Sequence, residues 1–366
     1  MLQVAGSAAA SFGVTLLAIL ALRPVAIAVD LVDRPGGRKI HHGEVPVIGG
    51  LAMFVGLVLG MGLLKVPGSA SAAFIAACAI LVTIGLVDDR FNLSPFARLP
   101  GHMAASAVII FGSGTAVTTL GHPLGGNEIV LGGYSSIAFT ILITTAAINA
   151  FNMLDGMDGL AGANALIALI ALAWVAWTGG THIPAAFALV MAASVCAFLI
   201  FNLPVRFNRP LRCFMGDAGS TLLGFSVAWL CILLSQGAER AAAPVTMLWL
   251  VALPLFELLW STLRRILLGV SPFKADADHF HHLLLKAGFS VRGAFAVFVL
   301  LSGLLAAVGL VADHFGLPDA YSFLLLIAAG VGTVRLMYRA DIIVKLLPDY
   351  FRHAAPLIQT TTRSEA

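Results

Sequence analysis

Apolar runs long enough to cross a bilayer, about 17 to 25 residues each, recur along the whole chain and alternate with short polar stretches rich in Gly, Pro and charge. The alternation predicts transmembrane helices near 9–29, 47–64, 71–87, 101–120, 134–152, 161–177, 184–201, 218–236, 244–263, 294–312 and 321–338, eleven in all. No polar block between them is large enough for a separate domain. Residues 1–342 are therefore expected to form a single transmembrane domain, and residues 343–366 a tail that is amphipathic and then disordered. The expected fold class is an all-α polytopic membrane protein.

Composition agrees: 60% of residues are hydrophobic and 11% charged, with a mean hydropathy of +0.98, whereas soluble domains carry about 25% charged residues. The net charge of +3 says little, but its distribution sets an orientation. Of the connecting segments, one side receives Lys65 and Arg240. The other receives Arg34, Arg38, Lys39, Arg90, Arg98, Arg206, Arg209, Arg212, Arg264, Arg265, Lys274, Lys286, Arg292 and the basic tail. By the positive-inside rule the second side is cytoplasmic, which puts the N-terminus on the periplasmic side and the C-terminus inside. No Lys or Arg precedes Arg23, so the first span lacks the basic start of a cleavable signal and is expected to be retained. Cys78, Cys196, Cys213 and Cys231 show no CxxC spacing and are assigned to packing.

Against this apolar background the polar residues stand out. Ile137 to Ile148 carries no charge, and then Asn149 to Gly162 reads N-A-F-N-M-L-D-G-M-D-G-L-A-G. Carboxylates at membrane depth mark functional sites by default. A helix ending near Leu154 would place Asp155 and Asp158 on a turn at its mouth, where the helix dipole disfavours carboxylates by about 0.3 to 1 kcal/mol each. The third span ends in Asp88-Asp89-Arg90, again at a helix C-terminus, so unless Arg90 or a metal ion compensates, one of the pair is expected to have a raised pKa, the arrangement wanted for a base or a Mg²⁺ ligand. Met215-Gly216-Asp217-Ala218-Gly219-Ser220-Thr221 opens the eighth span, and Asp217 reads equally well as a plain N-cap.

Two loops add cations. Arg34 to Pro46 holds Lys39 and His41 beside a Gly-Gly turn, a pattern suited to phosphate although an ordinary positive-inside loop looks the same. The loop after the ninth span runs from Arg265 to the block His279-Phe280-His281-His282. Two of these His with Asp276 or Asp278 would satisfy zinc, but zinc leaves Asp88, Asp89, Asp155, Asp158 and Asp217 unexplained. Outside, Asn127 to Gly133 reads as a short hairpin. The oxygen-rich donors suit Mg²⁺ or Mn²⁺, and with the surrounding Arg, Lys and His they suit a phosphate or diphosphate. The bilayer supplies a lipid partner. A secondary transporter is the rival class, although transporters place coupling residues near the midplane on related halves, and no internal repeat is seen.

The blocks V-D-D-R-F, N-A-F-N-M-L-D-G-M-D-G-L-A-G, M-G-D-A-G-S-T and S-P-F-x-A-D-x-D-H-F-H-H, in that order, resemble the polyprenyl-phosphate N-acetylhexosamine-1-phosphate transferase family. The H-x-H-H block resembles its bacterial branch acting on UDP-GlcNAc at the start of O-antigen, common antigen or teichoic acid synthesis, and departs from the muramoyl-pentapeptide branch. The resemblance implies transfer of GlcNAc-1-phosphate from UDP-GlcNAc to undecaprenyl phosphate in the cytoplasmic (inner) membrane, with Mg²⁺ or Mn²⁺ as cofactor. It implies Asp217 and Asn152 as metal ligands, and Asp88 with Asp89 acting on the lipid phosphate. Asn149, Asp155 and Asp158 would line the nucleotide pocket, and Arg265, His279, His281 and His282 would meet the diphosphate and sugar. A homodimer is compatible with this reading, and no nucleic acid partner is expected.

The orientation is testable with cysteines introduced singly and probed with an impermeant thiol reagent. Ser69 and Gly125 should label from outside, and His42, Asn92, Ser271 and Ala366 only from inside; outside labelling at Ser271 would overturn the placement of the polar blocks.

Overall fold

The computed structural model describes residues 1–34, 43–66, 68–204, 211–271 and 279–344. Lys39, His41, Arg206, Arg209, Asp276, Asp278 and the tail from 345 lie outside them. The described residues form α1 (Leu2–Ala28), α2 (Gly49–Leu64), α3 (Ser69–Phe91), α4 (Pro95–Ser113), α5 (Gly133–Leu154), α6 (Leu160–Thr178) and α7 (His182–Asn202). They continue with α8 (Gly216–Ser235), α9 (Pro244–Leu250), α10 (Ala252–Leu267), α11 (Phe280–Lys286), α12 (Val291–His314), α13 (Asp319–Tyr338) and α14 (Ala340–Val344). Each predicted span overlaps a helix or, once, a pair of helices, although the one predicted at 101–120 is displaced, α4 beginning at Pro95 and ending at Ser113.

By length and composition eight of these helices can cross a membrane, or nine if α9 and α10 make one broken span. The shortfall from eleven has physical causes. α2 is apolar but only 16 residues long, and α4 is diluted by Arg98, Pro100 and His102 in its first half. The span expected at 244–263 is bent by 83° between α9 and α10. Pro254 explains the break: it lacks an N–H and its ring clashes with the carbonyl four residues back, which is Leu250, the last residue of α9. The chain is a polytopic helical membrane protein.

α8 is the central helix, with 89% of its apolar window buried. Its Trp229 stacks on Phe74 of α3 at 4.1 Å between ring centroids, and Phe187 of α7 lies 5.6 Å from the same indole. Lipid tails are as apolar as Leu, so helices in membranes associate through close packing and hydrogen bonds. Both are present. Ser11 donates to the Val190 carbonyl at 3.0 Å, Thr15 bonds Ser194 at 3.0 Å, and Ser194 donates to the Met53 carbonyl at 3.0 Å, joining α1, α7 and α2.

Two-residue strands, β1 (Val32–Asp33) and β2 (Val45–Pro46), pair antiparallel. They close the segment between α1 and α2 and bring it beside the entry to α8, where Phe214 N donates to the Pro46 carbonyl at 2.9 Å and Gly50 N to the Met215 carbonyl at 3.0 Å. On the opposite end, Asn127 to Gly133 does not fold on itself. Ile129 and Leu131 pair instead with Leu120 and Thr118 of the preceding segment, at 2.9 and 2.7 Å.

Backbones touch at the entry to α8. A Cβ on Gly85 of α3 would fall 2.3 Å from the Ala218 Cα, and one on Gly50 of α2 would fall 2.2 Å from Gly219 N. Neither neighbour is a side chain that can swing away. Gly85→Ala should therefore lower stability by about 1–3 kcal/mol through overpacking, measured as thermal unfolding in detergent, whereas Gly62→Ala, where a Cβ meets nothing within 4 Å, should not.

Candidate active site

α5 ends at Leu154 as the sequence predicts, and residues 155–159 turn sharply before α6. Gly159 makes the turn with φ +74°, and its N–H donates to Asn202 Oδ1 at 2.8 Å. The Arg212 guanidinium pairs with Asp158 and lies over the Phe214 ring at 4.8 Å. Asp158 thus sits on a turn clamped from α7 and from the segment before α8.

Arg90 does not compensate the Asp pair at the end of α3. Arg90 turns away to Asp30, at 3.4 Å. Asp88, whose side chain is 2% exposed, accepts from Arg98 Nη1 at 2.5 Å and from Leu93 N at 2.7 Å. Asp89 reaches the start of α8 and accepts from Asp217 N at 2.7 Å and Ala218 N at 3.3 Å. These are free amides of a helix N-terminus, which carry partial positive charge and partly offset the burial of Asp89 among other acids.

Asp217 is consequently not a plain N-cap. It lies inside α8, whose N-cap residue is Met215, and its own carboxylate is directed elsewhere. Oδ1 accepts from the Asn152 amide, and Oδ2 lies 3.2 Å from Arg98 Nη1. One guanidinium nitrogen therefore bridges Asp88 and Asp217. Asn152 also donates to Ser220 Oγ at 3.0 Å. Asn149 takes no part in these bonds, since its amide donates to the Thr145 carbonyl one turn back at 2.8 Å. Asp155 stands just past the end of α5. Burial, and then the negative charges of Asp217, Asp89 and Asp158, push its carboxyl well above the usual carboxylate range.

The histidine block is adjacent. A Cβ on Gly156 would fall 2.5 Å from His281 Nε2, so a side chain there would have to displace the ring, and His281 packs directly on the turn after Asp155. His281 is 1% exposed and neither ring nitrogen has a hydrogen-bond partner among the described residues. Burial, with the neighbouring His282 and His279, holds it well below the usual histidine range, so it stays neutral at physiological pH. The His279 and His281 rings are parallel within 3° at 5.8 Å, and His282 lies 4.2 Å from His281. Arg265 is buried in the last turn of α10.

The structure thus brings Asp88, Asp89, Asn152, Asp155 and Asp217 together with the His block, and keeps Asn149 and Asp158 engaged locally. Two further polar residues join them. Arg98 follows the Ser94-Pro95 helix start, a readable N-cap signal. Glu257, which the sequence reading passed over, is a carboxylate within an apolar run, and that depth is the signal that could have found it.

Among the described residues no three His, Cys, Asp or Glu side chains converge as a metal cage. The donors around Asp217 are oxygens, and Mg²⁺ commonly binds through one or two carboxylates with the remaining ligands supplied by substrate phosphates and water. The residues present fit that mode.

Residues 71–235, which contain Asp88, Asp89, Asp155, Asp158 and Asp217, match the model of glycosyl transferase family 4. The chain belongs to this family. Its relatives include undecaprenyl-phosphate alpha-N-acetylglucosaminyl 1-phosphate transferase of Escherichia coli O157:H7, 35% identical over 300 residues that cover 82% of this chain and 81% of the relative. The enzyme of the same name in Escherichia coli strain K12 matches to the same extent. That of Haemophilus influenzae is 35% identical over 81% of this chain and 83% of its own length.

The two arginines near the Asp pair separate by context. Arg98→Gln leaves Asp88 buried without its cation and should cost about 3 kcal/mol. Arg90→Gln breaks an exposed pair and should cost less than about 1 kcal/mol. Thermal unfolding of the two variants in detergent checks the contrast.

Proposed function

We propose that the chain transfers GlcNAc-1-phosphate from UDP-GlcNAc to undecaprenyl phosphate, giving undecaprenyl-diphosphate-GlcNAc and UMP, as the first step of a bacterial surface polysaccharide. The identity to enzymes named for this transfer, extending over four fifths of the chain, carries the reading. The site supports it with an all-oxygen acidic cluster beside a histidine block, at the ends of several helices. The proposed setting is the inner membrane, with this end of the bundle in the cytoplasm.

In the reaction a lipid phosphate oxygen attacks the β-phosphorus of UDP-GlcNAc. A P–O bond forms to the lipid phosphate, the bond to the bridging oxygen breaks, and UMP leaves with that oxygen. Phosphoryl transfer asks the protein chiefly for positioning and charge stabilisation. Asp217, with Asn152 beside it, would hold Mg²⁺ or Mn²⁺, which supplies positive charge to the diphosphate. Asp88 is bonded to Leu93 N and Arg98; it orients Arg98 between itself and Asp217 and is assigned, with Asp89 supporting it, to positioning or deprotonating the lipid phosphate. Asp89 fixes the entry of α8, and through it the direction of Asp217. Neutral His281 and its neighbours His279 and His282, with Arg265, offer the contacts to diphosphate and sugar. Asp155 and Asp158 line the nucleotide side, and Lys39 and His41 are assigned to the phosphate.

Sugar choice is assigned to the segment from Arg264 to Arg292. A site that hydrogen-bonds one polar group can reject an analogue lacking it by about 10⁴-fold or more.

Purified protein in detergent, given UDP-GlcNAc and undecaprenyl phosphate, should release UMP, a product that a transporter would not give. EDTA should stop turnover and Mg²⁺ or Mn²⁺ restore it. Asp217→Asn and Asp89→Asn should abolish turnover in protein that still inserts in the membrane. Faster transfer from UDP-GalNAc, UDP-FucNAc or UDP-MurNAc-pentapeptide would refute the sugar assignment.

A further inference from the structure

α10 is amphipathic in the inverse sense of a soluble helix. Leu259, Leu263, Ile266 and Leu267 are exposed, while Glu257, Ser261 and Arg265, spaced four residues apart and so sharing one face, are buried. Glu257 is 0% exposed. An ionised carboxylate at such depth costs several kcal/mol unless its oxygens are satisfied, and here they are. Oε1 lies 2.8 Å from His279 Nδ1 and accepts from Phe280 N at 3.2 Å, Oε2 accepts from Phe280 N at 3.0 Å, and Ser261 Oγ donates to Oε1 at 3.4 Å. Ser261 lies on α10 itself, whereas His279 and Phe280 lie at the start of α11, 22 and 23 residues along the chain.

We propose that Glu257 is a positioning residue that fixes the tautomer and ring orientation of His279, an inference that rests on the phosphosugar transfer proposed above. A carboxylate only accepts hydrogen bonds, so His279 Nδ1 carries a proton. The tautomer of a histidine is set by the hydrogen bond its other nitrogen makes. In the neutral ring Nε2 is then left as the acceptor, and in the protonated ring as a donor. The bonds to Phe280 N fix the backbone at the first residue of α11, so the ring is held from its nitrogen and from its own chain. His279 in turn lies parallel to His281, which packs on the turn after Asp155. Glu257 thus acts on the site from α10, through His279, without touching the substrate itself.

A purely structural Glu257, capping α11 through Phe280 N, makes a different forecast, and a double-mutant cycle separates the two. The full-length protein in detergent is assayed for UMP release as wild type, Glu257→Gln, Glu257→Ala, His279→Gln and Glu257→Ala with His279→Gln. The His279→Gln side chain places an amide near the former Nε2 and offers nothing at Nδ1. Glu257→Ala should lose about 10–100-fold, the range typical when a partner that orients a functional histidine is removed. The loss should fall on the use of UDP-GlcNAc, as weaker binding of that substrate together with slower turnover, while KM for undecaprenyl phosphate stays within about threefold. Glu257→Gln, whose amide oxygen still accepts from Nδ1–H, should recover most of the activity. On the His279→Gln background, Glu257→Ala should cost less than about threefold.

An equal loss on both backgrounds would overturn the proposal in favour of a cap, and wild-type activity in Glu257→Ala would overturn it outright. If His279→Gln shows no turnover, the same cycle is read in equilibrium binding of radiolabelled UDP-GlcNAc, where equal effects or none are again the overturning results. A wild-type protein that releases no UMP would remove the proposed reaction instead, which is a different failure.

Discussion

Carboxylates crowd the place where α3, α5 and α8 meet, and their mutual repulsion in a poorly solvated setting is the constraint that the surrounding structure answers. Two devices answer it. Arg98 reaches across from α4 and sets one nitrogen between Asp88 and Asp217, while the amides that open α8 receive Asp89. The cation and the helix terminus act on different members of the cluster. Asp217 is thereby released from capping its own helix, with its side chain 30% exposed. Such an arrangement suits chemistry on a diphosphate, because negative charge is concentrated but held in fixed directions.

The second half of the site is organised by the break in the ninth predicted span. An unbroken helix over 244–267 would have run straight past the bundle. The 83° bend turns α10 so that a buried polar face meets α11 while the apolar face stays exposed. Non-helical backbone at membrane depth is tolerated where protein covers it, and the bend lies beside α12 and α13, both packed on α9 and α10. The bend and the histidine block therefore belong to one device.

Much of this was legible in the sequence, and the remainder was unreadable for identifiable reasons. Helix positions followed from apolar runs because the bilayer demands them. Acids at membrane depth pointed to the candidate site, Asp88 and Asp155 through their unfavourable place at helix C-termini, whereas Asp217 by itself read equally well as an N-cap. Their partners were harder, because a pairing such as Asp89 with the start of α8 joins residues 128 apart in sequence. Arg90 was the nearest cation to the Asp pair in sequence, yet it lies on the exposed side of α3 and turns to Asp30. Asn149 and Asn152 look equivalent in the motif and lie within one turn of each other on the helix, but only Asn152, nearer the helix end, reaches Asp217, while Asn149 bonds the Thr145 carbonyl. Glu257 was overlooked because one carboxylate barely changes the hydropathy of a long apolar run.

The glycines at the entry to α8 have a mechanical meaning beyond close packing. Hydrogen bonds and ion pairs tolerate small displacements, but Gly85 against Ala218 and Gly50 against Gly219 are contacts of backbone on backbone. A helix advances 1.5 Å per residue, so sliding α3 along α8 by a single step would drive a side chain into the space these glycines leave open. The contacts act as stops on axial movement from two sides of α8. The relative depth of Asp88, Asp89 and Asp217 is thus a steric dimension of the bundle, and it would persist if every charge among them were neutralised.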